Sequence, residues 1–194
     1  MTLVGKKAPI FSATAVINGE EVVDNFSLEQ FIGNREVLFF FYTKDFSGVC
    51  PTEMHAFQEK LENFEEKGIA VVGCSTDTEE THLAWLKLPK EQGGIQGVSY
   101  PIIADTTKTI SANFGVLGGA WSYSEDGQLH FNGAPIALRG TFFIDKEGIV
   151  RYESVNFFNI GRKIDEFIRI ADAWHHTLEF GESCPANWEE NQDV

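Results

Sequence analysis

"VLFFFYTKDFSGVCPTEMHAFQEKLENFEEKGIAVVGCST", residues 37–76, decides the fold. Its opening run, "VLFFFYT" (37–43), is apolar and aromatic throughout, as a strand covered on both faces requires. "IAVVGCST" (69–76) is a second run of the same kind. Between them Met54, Phe57, Leu61 and Phe64 recur at helical spacing, with Glu and Lys on the other side. Gly68 supplies the stop. Strand, helix and strand in about forty residues predict a βαβ unit in a largely parallel sheet.

The flanking segments extend this pattern. Upstream, "FSATAVI" (11–17) and "EEVV" (20–23) flank Asn18–Gly19, a type I′ hairpin signal. In "SLEQF", Ser27 and Gln30 stand at capping-box spacing on a short helix. Downstream, "DTEETHLAWL" (77–86) restarts a helix with acids in its first turn, where the helix dipole favours them. "SYPIIADTT" (99–107) reads as a short strand leading into helical turn. "GTFFIDKEGIVRYESV" (140–155) reads as a hairpin turning at 146–148. "NIGRKIDEFIRIADAWHH" (159–176) predicts a last amphipathic helix with Ile160, Ile164, Phe167, Ile168 and Ala171 toward the core. The remaining tail has no strong periodicity. The reading is one α/β domain over residues 1–170 and a C-terminal tail over 171–194.

Composition narrows the function. The 194 residues suffice for one well-packed domain. The formal charge is −14, from 15 Lys plus Arg against 29 Asp plus Glu. A nucleic-acid binder needs a basic footprint, and none is present; an anionic membrane surface is disfavoured likewise. No stretch reaches the roughly 20 apolar residues that span a bilayer. "MTLVGKKAPI" lacks an apolar run after its lysines, so no secretory signal is expected. Cys50, Cys74 and Cys184 are odd in number and widely spaced, which is no disulfide scaffold and points to a reducing cytoplasm.

Cys50 stands at the first turn of the helix that begins near Pro51. Unpaired N–H groups and the positive dipole end there favour a thiolate. Ser47, three residues earlier, has a hydroxyl to offer the sulfur or a bound oxygen. Three readings stay open from these residues: reactive thiol, buried space-filler, or metal ligand. The last lacks any C-x-x-C or histidine at ligand spacing; His55 sits in "TEMHAF", His82 packs locally or on a helix surface, and the adjacent His175 and His176 point apart. Cys184, in the punctuated "GESCPANW", is expected exposed or on a mobile tail, suited either to attack an oxidised partner cysteine or to nothing in particular. Cys74, inside a strand run, reads as core. Arg139, at the mouth of a strand in a chain poor in bases, either braces a thiolate and its substrate or makes a surface salt bridge.

"FYTKDFSGVCPTE", "ALRGTFFIDKEG" and "GESCPANW", in this order and with "HLAW" and "GGIQG" between, resemble the typical two-cysteine peroxiredoxins of the alkyl hydroperoxide reductase C type. The resemblance runs over residues 3–189. It implies a thioredoxin-like fold, a central mixed sheet flanked by helices, and a peroxidase that needs no cofactor and no metal. It implies that Cys50 is the peroxidatic cysteine, attacking a hydroperoxide substrate to give a sulfenic acid. It further implies that Cys184 of another subunit resolves it as a disulfide, reduced in turn by thioredoxin or a flavoprotein disulfide reductase. By position Arg139 polarises the substrate, Ser47 hydrogen-bonds the peroxide, Glu53 orients the arginine network and Trp85 packs near the catalytic loop. A homodimer paired through edge strands, and a ring of five such dimers, are implied as well.

Three departures stand out. Thr43 replaces the proline that usually begins the active-site motif, seven residues before the cysteine, so an altered thiol environment is expected. "GGAWSYSEDGQLHFNGAPIAL" (118–138) carries an insertion of about a dozen residues around 119–135, a small hairpin that covers the active site, alters ring contacts or simply faces solvent. The sequence also lacks the further C-terminal helix of over-oxidation-prone relatives. That predicts a mobile C-terminus, fast resolution and resistance to sulfinic acid formation.

Overall fold

The computed structural model describes residues 2–190. In chain order the elements are β1 (Ala13–Ile17), β2 (Glu21–Phe26), β3 (Glu36–Phe41), α1 (Cys50–Glu59), α2 (Leu61–Glu66), β4 (Ile69–Ser75), α3 (Glu79–Lys87), β5 (Ile102–Ala104), α4 (Thr109–Asn113), β6 (Leu117–Tyr123), β7 (Leu129–Ala137), β8 (Arg139–Ile144), β9 (Val150–Asn156) and α5 (Ile164–Phe180). Seven strands form one sheet in the order β2-β1-β5-β4-β3-β8-β9. β4 runs parallel to β3 and β5, and the other pairs are antiparallel. This is the mixed, helix-flanked, thioredoxin-like α/β sheet that the resemblance implies; the largely parallel sheet read from the βαβ unit does not form, because only β3, β4 and β5 run parallel and the flanking pairs are antiparallel.

β3 and β4 are buried at every position. Alternation along β3 sorts the side chains between two faces. Val37, Phe39 and Phe41 join Val72, Cys74, Phe114, Phe142 and Ile144 in one apolar cluster. Phe40 points the other way and stacks on Phe57 of α1, ring centroids 4.0 Å apart. Gly73 lies opposite Phe40 in register, and a Cβ there would come within 3.1 Å of that ring. Glycine in mid-strand is thus the space that seats α1 on the sheet.

The Asn18–Gly19 hairpin forms with both residues at positive φ, +54° and +77°, as a type I′ turn demands. The 140–155 hairpin forms as β8–β9, and Asp145 closes its turn by accepting the Ile149 N–H at 2.8 Å.

Several local expectations change. The single helix expected between β3 and β4 breaks at Lys60, whose N–H bonds to Phe57 O at 3.2 Å, a tightened last turn. Ser27 begins a 3₁₀ turn over Leu28–Phe31, and the Gln30 amide bonds its carbonyl, not its N–H, so the capping box is only half made. Ile160 precedes the last helix and is exposed, and Ile168 is half-buried; Ile164, Phe167 and Ala171 are buried. That helix runs to Phe180, four residues past its expected end, and stops at Gly181 with φ +69°.

The chain forms two compact units, the first ending at Arg162 and the second beginning at Lys163. Residue 170, where the sequence reading ends its main domain, falls inside α5. Within the second unit Trp188 turns back on the helix, its ring 5.1 Å from that of His176, and its carbonyl accepts from Arg169 at 3.2 Å. The insertion is a separate two-stranded sheet, β6–β7. Trp121, Tyr123 and Leu129 stand exposed on it, and Phe131 is half-buried with its ring edge-on to Trp121. Among the described residues, no helix is long and apolar enough to cross a membrane.

Candidate active site

β3 delivers the chain to a loop, residues 43–49, that ends in α1. Tyr42 still bonds to the strand ladder, its N–H reaching Cys74 O at 3.0 Å. Phe46 then adopts a left-handed conformation, φ +52°, a strain of about 1–3 kcal/mol for a bulky residue. A buried network holds that strained loop. Asp45 accepts from the Tyr42 hydroxyl at 2.7 Å and pairs with His82 Nδ1 at 2.7 Å, all three residues inaccessible or nearly so. His82 Nε2 faces Ile103 O at 3.3 Å, so it carries a proton there. Burial pushes the Asp45 carboxyl up, against the pull of its His82 and Tyr42 hydrogen bonds. Asp45 N–H is fixed by Asp77 at 2.9 Å, and Trp85 packs beside Phe46 and Tyr42.

Cys50 opens α1 and is fully buried. Its N–H, one of the unpaired donors of a helix start, goes to Ser47 Oγ at 3.3 Å, which leaves that hydroxyl's proton free to turn to the sulfur. Arg139 Nη1 donates to the sulfur at 3.3 Å, and Thr43 Oγ1 lies 3.1 Å from it. Burial pushes the thiol up. Hydrogen bonds from Ser47, Thr43 and the Lys44 N–H, with the charge of Arg139, outweigh it, and the thiol ends below its ordinary value.

Arg139 begins β8 and is itself 2% exposed, so the surface salt-bridge reading is excluded. Its Nε donates to Phe158 O at 2.8 Å and its Nη1 to Glu53 at 2.5 Å. Glu53, one turn along α1 from Cys50, is shared. Its two oxygens also take the Arg162 N–H, Nε and Nη2, each at 2.9 Å. Burial alone would raise the Glu53 carboxyl; the two arginines bring it below the usual carboxylate range. Arg162 spends its remaining donors on Phe41 O, Gly140 O and Thr141 Oγ1, with its guanidinium 5.0 Å over the Phe40 ring. Two cations thus face a carboxylate and a thiolate in a dry site. Gly118, at the base of the β6–β7 hairpin, lets the Phe158 ring approach: a Cβ there would lie 2.6 Å from it.

The structure therefore gathers Cys50, Ser47, Glu53 and Arg139. Cys184 belongs to the second unit. It is half-buried, not free on the tail, and its thiol donates to Ala173 O at 3.5 Å on α5. Thr177 Oγ1, 3.9 Å away, also faces the sulfur. Cys74 is buried in the apolar cluster, where burial and the charge of Asp105 hold its thiol well above the ordinary value. Three features went unread in the sequence: the contact of Thr43 with sulfur, the role of Arg162, and the Tyr42–Asp45–His82 network. Thr43 left a trace as the departure expected to alter the thiol environment, and His82 as a residue packing locally or on a helix surface; Arg162 was visible only as a scarce base in "NIGR".

The site favours the ionised thiol and can place N–H and O–H donors where negative charge develops on a departing oxygen. Residues 4–153 match the sequence pattern of the AhpC/TSA family. Alkyl hydroperoxide reductase C of Helicobacter pylori is 45% identical over 186 residues, covering 96% of this chain and 87% of that protein. Peroxiredoxin-2 of Mus musculus is 41% identical over 191 residues, covering 98% and 88%. The crystal structure of the reduced 2-Cys peroxiredoxin of Plasmodium vivax superposes with a TM-score of 0.87 at 39% identity, covering all of this chain and 92% of that one.

Proposed function

This chain belongs to the AhpC/TSA family and is a thiol peroxidase of the two-cysteine peroxiredoxin type; on that premise we propose that Cys50 is its peroxidatic cysteine and Cys184 of a second subunit its resolving one. The observation that carries this is the Cys50 sulfur at a helix start, within 3.3 Å of Arg139 and Thr43.

The Cys50 thiolate attacks the terminal oxygen of a hydroperoxide. An S–O bond forms and the O–O bond breaks, leaving a sulfenic acid and an alkoxide or hydroxide that takes a proton to leave as alcohol or water. Arg139 holds the thiolate and offers N–H donors to the departing oxygen. Ser47 orients the peroxide, and Glu53, clamped by Arg162, fixes the angle of Arg139. The Cys184 thiol then condenses with the sulfenic acid, releasing water and forming a disulfide. That step requires α1 to open at its first turn, where helices open most readily. Thioredoxin or a flavoprotein disulfide reductase returns both thiols by exchange. The working unit is a homodimer, for which β9 is an edge strand of the sheet, and five dimers close a ring. Its cysteines, odd in number and widely spaced in sequence, suit the cytoplasm.

The test is a modest excess of hydrogen peroxide on reduced protein, followed by non-reducing gels, with Cys50→Ser and Cys184→Ser alongside. A disulfide-linked dimer that needs both cysteines is expected. A wild type that stays monomeric on the gel while consuming peroxide contradicts the role of Cys184; peroxide consumption by Cys50→Ser contradicts that of Cys50.

A further inference from the structure

Thr43 enters the sequence reading as a departure, a threonine in place of a proline that is expected to alter the thiol environment. The geometry points to a gain. Thr43 is 5% exposed, and its hydroxyl lies 3.1 Å from the Cys50 sulfur, nearer than the guanidinium of Arg139 at 3.3 Å. A hydroxyl both donates and accepts, whereas a thiolate only accepts. While Cys50 is a thiol, either atom can hold the bridging proton. Once it ionises, Thr43 must be the donor. The branch at Cβ restricts χ1, which helps hold the hydroxyl on target, and the dry surroundings strengthen the bond.

Resting on the reading of Cys50 as the attacking thiol, we infer that Thr43 is a catalytic residue: it donates a hydrogen bond to the Cys50 thiolate, easing ionisation while tempering the nucleophile. The division of labour within the loop supports this. Ser47 is half-buried; its oxygen takes the Cys50 N–H and its own proton is a second donor to the sulfur, whereas the buried Thr43 hydroxyl, shielded from solvent, lies 3.1 Å from it. The charged groups facing the sulfur are Arg139 and, behind it, Glu53. Lys44 acts through its backbone N–H with its side chain exposed, and the Asp45 carboxylate is turned to Tyr42 and His82.

The two effects of one donor oppose each other, and this makes the role measurable. Removing a net hydrogen bond to a charge lowers the ionisation constant about tenfold. A thiolate relieved of that bond gains reactivity with a Brønsted exponent near 0.5, about threefold. Below the pKa the rate therefore falls about threefold, and above it the rate rises about threefold. A residue that merely packs shifts both limbs the same way.

The experiment measures the rate of Cys50 modification in reduced full-length protein, by iodoacetamide and by hydrogen peroxide, from about pH 5 to about pH 9. Thr43→Val keeps the shape and loses the hydroxyl; Thr43→Ser keeps the hydroxyl; Thr43→Ala is a second hydroxyl-free variant, with melting curves to verify folding. Wild-type and Thr43→Val curves are expected to cross, Thr43→Ala to follow Val, and Thr43→Ser to follow wild type. Parallel or coincident curves for the hydroxyl-free variants overturn the inference. Cys50→Ser separates the two levels. If it still consumes peroxide, the reading of Cys50 fails; if it does not and the curves fail to cross, only the role of Thr43 fails.

Discussion

Cys50 and Cys74 are both cut off from solvent, and burial pushes both thiols upward, yet they end on opposite sides of the ordinary value. Cys74 lies mid-sheet among Phe39, Phe41 and Phe142, with the charge of Asp105 adding to the penalty. Cys50 lies one residue into a helix, with hydroxyls, a backbone N–H and a guanidinium turned to it. The difference teaches that burial does not decide reactivity; the donors buried with the sulfur do. A strand spends its N–H groups on its neighbours, whereas a helix start has N–H groups to spare.

The largest effect that can break this comparison is loss of the thiol itself. Cys50→Ser should reduce peroxide consumption at least about ten-thousandfold, whereas Cys74→Ser should stay within about twofold. Next comes Glu53→Gln. It leaves Arg139 and Arg162 buried without their counter-charge, and should cost about 3–5 kcal/mol in denaturant melts. The sign with pH follows from its lowered carboxyl. The stabilisation is whole above the unfolded carboxylate pKa and is lost as pH falls through the lower folded one. Wild type should therefore lose stability on acidification more steeply than Glu53→Gln. Arg139→Lys keeps the charge and loses the fork that spans Glu53, sulfur and Phe158 O. A fall of about ten- to thirtyfold in kcat/KM is expected, with the acid limb of the rate profile moved to higher pH. The smallest effect belongs to the quiet cysteine: Cys74→Ala should cost about 1 kcal/mol of stability and leave the rate profile in place.

The reactive half of this comparison was more legible in the sequence than its cause. The two apolar runs, the Asn18–Gly19 turn and the β8–β9 hairpin announce themselves through local chemistry, and they form as read. Cys50, Ser47 and Glu53 are close in sequence on one loop and helix, so helical periodicity already brings them together. Arg139 arrives from 89 residues away, and only the strand order β3-β8 sets it beside Cys50. Arg162 and the Asp45–His82 pair were missed for the same reason: nothing local says which buried charges will meet. Thr43 was read only as altering the thiol environment, because its replacement of proline was judged by backbone geometry; the contact with sulfur depends on where the side-chain oxygen ends up. The half-buried setting of Cys184 comes from its segment packing on α5, where its thiol reaches Ala173 O and Thr177, a contact with no periodic signature.

The most direct test of the comparison is alkylation of both cysteines in one sample. Reduced native protein is pulsed with iodoacetamide across pH, and labelling of Cys50 and Cys74 is read by peptide mass spectrometry. The account predicts that Cys50 labels with a midpoint below the ordinary thiol range, while Cys74 stays unlabelled until the protein is denatured. A Cys50 midpoint at or above that range, or native Cys74 labelling at a comparable rate, would contradict it.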